Sequence, residues 1–200
     1  MKRKIAIDID DVLAASAEAF VAWSNERWGM SLTVDDYEEH WGRMWQLEHD
    51  REEAERRADE FHEAGVVGRH RPHEEALPVL KELGDEYDLV IITSRRRSIA
   101  AETEEWLKVH YAGVFSEVHF AGMWDSKDPD RLKATKTEVC RQIGADYLVD
   151  DQLKHCLAAA EAGIPAVLFG RYAWNRADKL PHNVTRCEKW EQVRDYFKER

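Results

Sequence analysis

Two hundred residues with a formal net charge of −11 suit one generous domain, or a core domain carrying a small insertion. That charge argues against a nucleic-acid groove as the main surface, and no apolar run approaches the length needed to span a bilayer. Met1-Lys2-Arg3 leads directly into strand and acid with no apolar signal segment, and Cys140, Cys156 and Cys187 have no motif spacing; both features are those expected of a cytoplasmic protein with reduced thiols.

The first element is a short apolar strand, Ile5–Asp8, which runs into acid at Asp8, Asp10 and Asp11. Alternation puts Asp8 and Asp10 on one side of an extended backbone. Two carboxylates so placed repel, and their pKa values rise unless a cation sits between them. These few residues can supply a metal ligand, a nucleophile and an acid/base partner. The bland alternative is a solvated acidic turn.

Ala14–Trp28 reads as an amphipathic helix ending at Gly29, Thr33 as an N-cap followed by Asp35 and Asp36, and Asp50–Ala64 as a charged helix ending at Gly65. No strand-like run occurs between residues 14 and 71, and an interval of roughly sixty residues is too long for a loop. It reads as a small helical cap, leaving residues 1–13 and 72–200 as the core domain.

From there strands and helices alternate. Leu89–Thr93, Val118–Phe120, Tyr147–Val149 and Ala166–Phe169 carry strand signals. His73–Gly84, Ser98–Tyr111, Lys136–Ile143 and Leu153–Gly163 carry helical ones, with Gly84, Gly144 and Gly163 at C-cap positions. Such alternation predicts an α/β fold, a parallel sheet with helices on both faces. A loop from Arg171 to Lys189 and a terminal helix, Trp190–Arg200, complete the chain.

Three more pieces of chemistry fall at strand ends or helix starts. Thr93-Ser94-Arg95 offers hydroxyls and free N–H groups, an anion seat. Arg95, Arg96 and Arg97 oppose the helix dipole there unless an anion or cap carboxylates pair with them. Lys136 opens the next helix as a cation for a substrate anion, with Lys133 as its competitor. Asp150 and Asp151 end another buried strand. With Asp8 and Asp10 they make an oxygen-rich pocket suited to Mg²⁺; no Cys/His cluster has the spacing for a softer metal, and His70 and His73 sit among arginines in a loop. Ligands bind outside the carboxyl ends of strands in such sheets.

Asp8-Ile9-Asp10-Asp11-Val12, Thr93, Lys136 and Asp150-Asp151, in that order, resemble the four motifs of the haloacid dehalogenase (HAD) superfamily, and the resemblance covers the whole chain. Ile91-Ile92-Thr93-Ser94, Lys136-Thr-Glu-Val-Cys140 and Leu148-Val149-Asp150-Asp151 resemble its small 5′-nucleotidase-like group, with residues 14–71 similar to a type 1 helical cap. The resemblance implies a three-layer, Rossmann-like core and Mg²⁺-dependent phosphomonoester hydrolysis through an aspartyl-phosphate. It implies that Asp8 attacks phosphorus, that Asp10 protonates the leaving oxygen and later activates water, and that Thr93 and Lys136 hold the phosphoryl oxygens; Ser94 and Arg95 join them as phosphate-binding candidates from the anion seat. It further implies that Asp8, the carbonyl of Asp10 and Asp151 ligate the metal, with Asp150 supporting Asp151. Asp10 argues against dehalogenation, which has no acid/base carboxylate there.

Eight tryptophans is a high count, and Trp23, Trp28, Trp41 and Trp45 fall in the cap interval. Phe20, Trp23 and Trp28 suit a small helical core. Trp41 and Trp45 are candidate substrate contacts, since aromatic faces can stack a nucleobase. Trp124 and Trp174 follow strands and could reach the site mouth. The expected partner is a small phosphate monoester, nucleotide or sugar phosphate, with no nucleic acid and no membrane, on a monomer or homodimer. A signalling receiver would lack the cap, and a non-catalytic binding protein would have no need of every acid.

Overall fold

The computed structural model describes residues 2–122 and 135–200. Lys133 and Trp124, both singled out above, lie outside the described residues. Six strands form one parallel sheet: β1 (Arg3–Ile7), β2 (Tyr87–Thr93), β3 (Glu117–Phe120), β4 (Tyr147–Asp150), β5 (Ala166–Phe169) and β6 (Val184–Cys187), in the order β3-β2-β1-β4-β5-β6. The helices are α1 (Ser16–Trp28), α2 (Trp41–Met44), α3 (Arg51–Glu63), α4 (Ala76–Gly84), α5 (Ala100–His110), α6 (Lys136–Ile143), α7 (Leu153–Glu161) and α8 (Trp190–Lys198).

The period of two along each strand feeds two separate cores. Ile5, Ile7, Leu89, Ile91 and Val149 face α4, α5 and α8 on one side of the sheet. Ala6, Val90, Ile92, Leu148 and Leu168 face α6 and α7 on the other. This is the three-layer α/β fold expected from the alternation. Register pairs Ile7 with Ile91 on one side and with Val149 on the other, so β1 ends level with both neighbours. The connections after β1 and β4 leave in opposite directions, and the crevice between those two strands is the switch point where such sheets bind ligands.

Residues 14–71 contribute no strand, only isolated bridges from Ala14 to Asp10 and to Pro72. With Ile99 they build a third apolar cluster, in which Phe20, Met44, Trp45, Ala58 and Phe61 are buried and Trp23, Trp28, Tyr37 and Trp41 pack around them. Trp23 and Trp28 meet edge to face at 4.6 Å. Asp50 caps α3 by accepting the Glu53 N–H at 3.1 Å, as its position predicts. Thr33 and Asp36 close a capping box, but around a single 3-10 turn, Val34–Asp36, rather than a full helix.

Two expectations are corrected. The segment from Arg171 to Lys189 contains β6, an edge strand whose two central residues stay half-exposed, so its sequence shows only Val184 and Cys187 as inward positions. Gly84 is the last residue of α4 rather than its left-handed cap, and its φ is negative, unlike those of Gly144 and Gly163.

Candidate active site

The carboxyl end of β1 separates its acids. Asp8 still donates its N–H to Val149 O at 2.9 Å, and then the N–H groups of Val12, Leu13 and Ala14 all converge on Ile9 O. Asp11 takes a positive φ of 55° at the bend, uncommon for a residue with a Cβ. Its carboxylate accepts the Ala17 N–H at 3.1 and 3.2 Å, so it caps α1 from outside the helix. Asp8 and Asp10 therefore do not stack as an extended strand would place them. They face different cations.

Asp8 faces α6. Lys136 Nζ lies 2.7 Å from Asp8 Oδ2 and 2.7 Å from Asp150 Oδ2, with all three side chains closed to solvent. Burial opposes the charge of Lys136, yet the Asp150 and Asp8 carboxylates hold its ammonium above the usual lysine range. Burial pushes the Asp8 carboxyl up to about 7 against the pull of Lys136. The other oxygen, Asp8 Oδ1, is buried with no hydrogen-bond partner, a costly state for a carboxylate.

Asp150 spends both oxygens inside the protein: Oδ2 on Lys136 and Oδ1 on the Gln152 N–H at 2.8 Å. Asp151 Oδ2 accepts the Trp174 indole N–H at 2.6 Å and the Gln152 side-chain amide at 2.9 Å. Among the described residues, Asp8, Asp150 and Asp151 form a group able to hold a metal, with ligand oxygens within 4.8 Å of one another. Burial, then the neighbouring Asp150 and Asp8 charges, pushes Asp151 well above the ordinary carboxylate range. Three buried carboxylates, one ammonium and an orphaned oxygen fit a hard cation with oxygen ligands. The Asp10 carboxylate is outside this trio.

Asp10 faces β2 instead. Arg95 grips it through Nη2 at 2.7 Å and Nε at 3.0 Å, and the Ser16 hydroxyl donates to it at 2.5 Å. Burial raises the Asp10 pKa, but the Arg95 charge and hydrogen bonds win and hold the carboxyl well below its usual range. Of the two partners open to Arg95, an anion or a carboxylate, the structure shows a carboxylate, and it belongs to Asp10 rather than to the α1–α3 layer; Arg95 still lines the cavity. Arg96 likewise pairs with Asp59 of α3 at 2.7 Å, the cap-carboxylate alternative. Thr93 is wholly buried, and its Oγ1 accepts the Arg95 N–H at 3.1 Å. A hydroxyl that accepts still has a proton to give.

These groups sit at the floor of a cavity of about 1330 Å³ between the sheet and the α1–α3 layer. Asp8, Asp10, Ser94, Arg95, Lys136 and Asp151 line one side, and Phe20, Tyr37, Trp41 and His62 the other. Trp41 is on the wall. Trp45 is not, which corrects its candidacy: it is 3 % exposed and spends its indole N–H on Ser24 Oγ at 3.1 Å.

A family model described as "5' nucleotidase, deoxy (Pyrimidine), cytosolic type C protein" matches residues 2–199. The chain belongs to this family. It is therefore a HAD-like phosphatase, as its motif order implied. A curated relative from Halalkalibacterium halodurans, whose name assigns it provisionally to the nucleotidases, is 24% identical over 99% of this chain and 94% of its own. Among solved structures, a haloacid dehalogenase-like hydrolase of Streptococcus pneumoniae superposes with a TM-score of 0.73 at 17% identity, covering 98% of each chain. A HAD-superfamily hydrolase of Geobacter sulfurreducens gives 0.62 at 22%, covering 98% and 96%. Both likenesses concern the fold.

In this family member several site residues carry no local sequence signal. Asp11 was visible only as part of an acidic run, not as a cap reaching six residues ahead. Ser16 and His70 complete the Asp10 surroundings: His70 Nδ1 lies 3.1 Å from Ser16 Oγ and 3.3 Å from Arg95 Nη2. An arginine only donates, so Nδ1 is the acceptor and the ring proton sits on Nε2. Burial, then Arg95, lowers the His70 pKa to about 4 and keeps the ring neutral. His70 and His73 are absent from the metal-capable group.

Proposed function

We propose that this chain is a Mg²⁺-dependent phosphomonoester hydrolase that passes the phosphoryl group through Asp8, with nucleoside 5′-monophosphates as its substrate class. The observation that carries the reading is the state of Asp8: one oxygen on Lys136 at 2.7 Å and the other buried without a partner, at the floor of the cavity. In this reading residues 14–71 act as the cap and residues 1–13 with 72–200 as the core.

Asp8 and Asp151 would hold the cation with the Asp10 carbonyl, and Asp150 would support them by fixing Lys136. A bound divalent cation supplies the positive charge that lets a phosphate dianion approach these acids. Lys136 neutralises Asp8 and the incoming phosphoryl oxygens. A carboxylate oxygen of Asp8 bonds to phosphorus while the phosphorus–oxygen bond to the alcohol breaks. Asp10 gives a proton to the departing alkoxide. Water then attacks the same phosphorus, Asp10 takes its proton, and Asp8 returns as carboxylate with inorganic phosphate released. Arg95 keeps Asp10 ionised, as the second half-reaction requires. A phosphate dianion beside Arg95 competes for that guanidinium and raises the proton affinity of Asp10, as the first requires. Ser94 and Thr93 add hydroxyl donors at the same end of the sheet.

The nucleotide class rests on family membership and on the aromatic wall. Tyr37 and Trp41 line the cavity from the α1–α3 layer, and such aromatic side chains suit a planar base. A panel of phosphate esters with and without Mg²⁺ tests the proposal. Nucleoside 5′-monophosphates should lead it. Preference for a sugar phosphate would replace the substrate class, and absence of any Mg²⁺-dependent hydrolysis would overturn the mechanism.

A further inference from the structure

Trp174 stands apart from the four motifs, yet it touches the metal-binding end of the site. Its indole N–H donates to Asp151 Oδ2 at 2.6 Å. Its ring stacks on Tyr172, with centroids 4.5 Å apart and planes within 3°. On the remaining side the Tyr37 ring, from the α1–α3 layer, meets it edge to face at 5.0 Å.

The 3-10 turn that carries it, Ala173–Asn175, is bolted to the core. Asn175 is fully buried and donates its amide to Asp151 O and to Phe169 O, each at 2.9 Å. Arg186 of β6 donates to Asn175 Oδ1 at 2.9 Å and to Asn175 O at 2.6 Å. The Tyr172 hydroxyl donates to Asp11 O at 2.8 Å, in the loop that follows Asp8. Gly170 makes the approach possible: a Cβ there would lie 2.2 Å from the Tyr172 ring. The sheet thus holds Trp174 rigidly from below.

From above, contact runs into the helical layer. Tyr37 also touches Phe20 at 5.7 Å. Two residues on, Glu39 pairs with Lys154 of α7, three residues past Asp151. Residues 37–39 therefore bridge to the segment that follows β4.

We propose that Trp174 is a positioning residue for Asp151, and that Tyr37 couples it to the cap, so that the seating of the α1–α3 layer and the orientation of the metal-binding carboxylate are linked. The inference rests on the reading of Asp151 as a cation ligand. A carboxylate rotates easily about its last bond, and a donor outside the ligand set fixes its plane and tunes its basicity. Trp174 supplies that donor from a rigid turn. Tyr37 supplies the ring surface that keeps the indole in place while the cap sits over the cavity.

The test measures Mg²⁺ binding directly by titration calorimetry, beside steady-state kinetics. Trp174→Phe keeps the ring stack and removes the N–H. It should weaken Mg²⁺ binding by about 10- to 100-fold, while kcat recovers at saturating Mg²⁺ and KM for the ester stays near the parent value. Tyr37→Leu leaves the N–H in place and should weaken Mg²⁺ by about 3- to 10-fold, less than the loss of a direct partner of the ligand, because Tyr37 acts on Asp151 only through Trp174. Parent Mg²⁺ affinity in Trp174→Phe overturns the positioning role. Parent affinity in Tyr37→Leu overturns the coupling, and this variant decides the matter should Trp174→Phe fail to fold. Asp151→Asn separates the two readings: if it binds Mg²⁺ as the parent does, the ligand assignment itself is wrong. If it loses Mg²⁺ while Trp174→Phe does not, only the inference about Trp174 falls.

Discussion

Lys136 Nζ lies 2.7 Å from Asp8 Oδ2, and the lysine is 1 % exposed and the aspartate 4 %. A buried ammonium between Asp8 and Asp150 serves two ends: it permits the acids to be buried, and it stands where a phosphoryl oxygen must come. Lys136→Met keeps the bulk and removes the charge. It leaves two buried carboxylates without their cation, so it should cost about 3–5 kcal/mol of stability and abolish measurable turnover. Chemical denaturation and ester hydrolysis on the same sample check both halves.

Arg95 does for Asp10 what Lys136 does for Asp8, but with a fork geometry and a half-open partner, 31% exposed. Burial alone raises the Asp10 carboxyl, and Arg95 reverses the sign. Arg95→Met should therefore move the Asp10 pKa upward, toward or above the ordinary carboxylate range. A carboxylate infrared band followed against pH, with Asp10→Asn as the blank, reads the shift. An unchanged band would show that Arg95 does not set the proton affinity of Asp10.

Trp41 and Trp45 look alike in sequence and differ in surroundings. Trp45 packs against Phe20 at 5.4 Å and Trp28 at 4.9 Å and satisfies Ser24. Trp45→Ala should cost about 3–5 kcal/mol and leave KM of the remaining folded protein near the parent value. Trp41 faces the cavity. Trp41→Ala should raise KM for a nucleoside 5′-monophosphate by about 10-fold, the value of one lost base stack. Equal KM values in the two variants would remove Trp41 from the substrate site.

Burial, then the Arg96 charge, lowers the His62 pKa to about 4 from an ordinary 6.5. The unfolded chain therefore binds a proton between those values that the folded chain refuses. Stability from the neutral ring is complete above pH 6.5 and falls as pH drops toward 4. Relative to His62→Gln, the parent should lose about 3 kcal/mol across that window. Paired denaturation curves at pH 7 and pH 4.5 check it. The comparison with the variant matters because Asp8, raised to about 7, titrates with the opposite sign.

The core fold was legible because the buried parallel strands are continuous apolar runs, and Asp8, Thr93 and Asp150 stand where such runs stop, while Lys136 opens a helix. Asp8, Lys136 and Asp151 could be assigned to one end of the sheet from spacing alone. The strand β6 could not, because an edge strand with half-exposed Thr185 and Arg186 carries no such run. The Asp10–Arg95 pair was hidden for a different reason. Strand periodicity placed Asp10 beside Asp8, and only the turn on Ile9 O and the positive φ of Asp11 redirect it. Trp174 reaches Asp151 across 23 residues of chain, a contact no local pattern encodes.

Asp8 as the phosphoryl acceptor is the central claim, and acid-quenched mass spectrometry during turnover addresses it most directly. With Mg²⁺ and a nucleoside 5′-monophosphate, the peptide containing Asp8 should gain the mass of one phosphoryl group, and Asp8→Asn should neither gain it nor release phosphate while remaining folded. Phosphate release by Asp8→Asn at the parent rate, or label found on a different residue, would contradict the account.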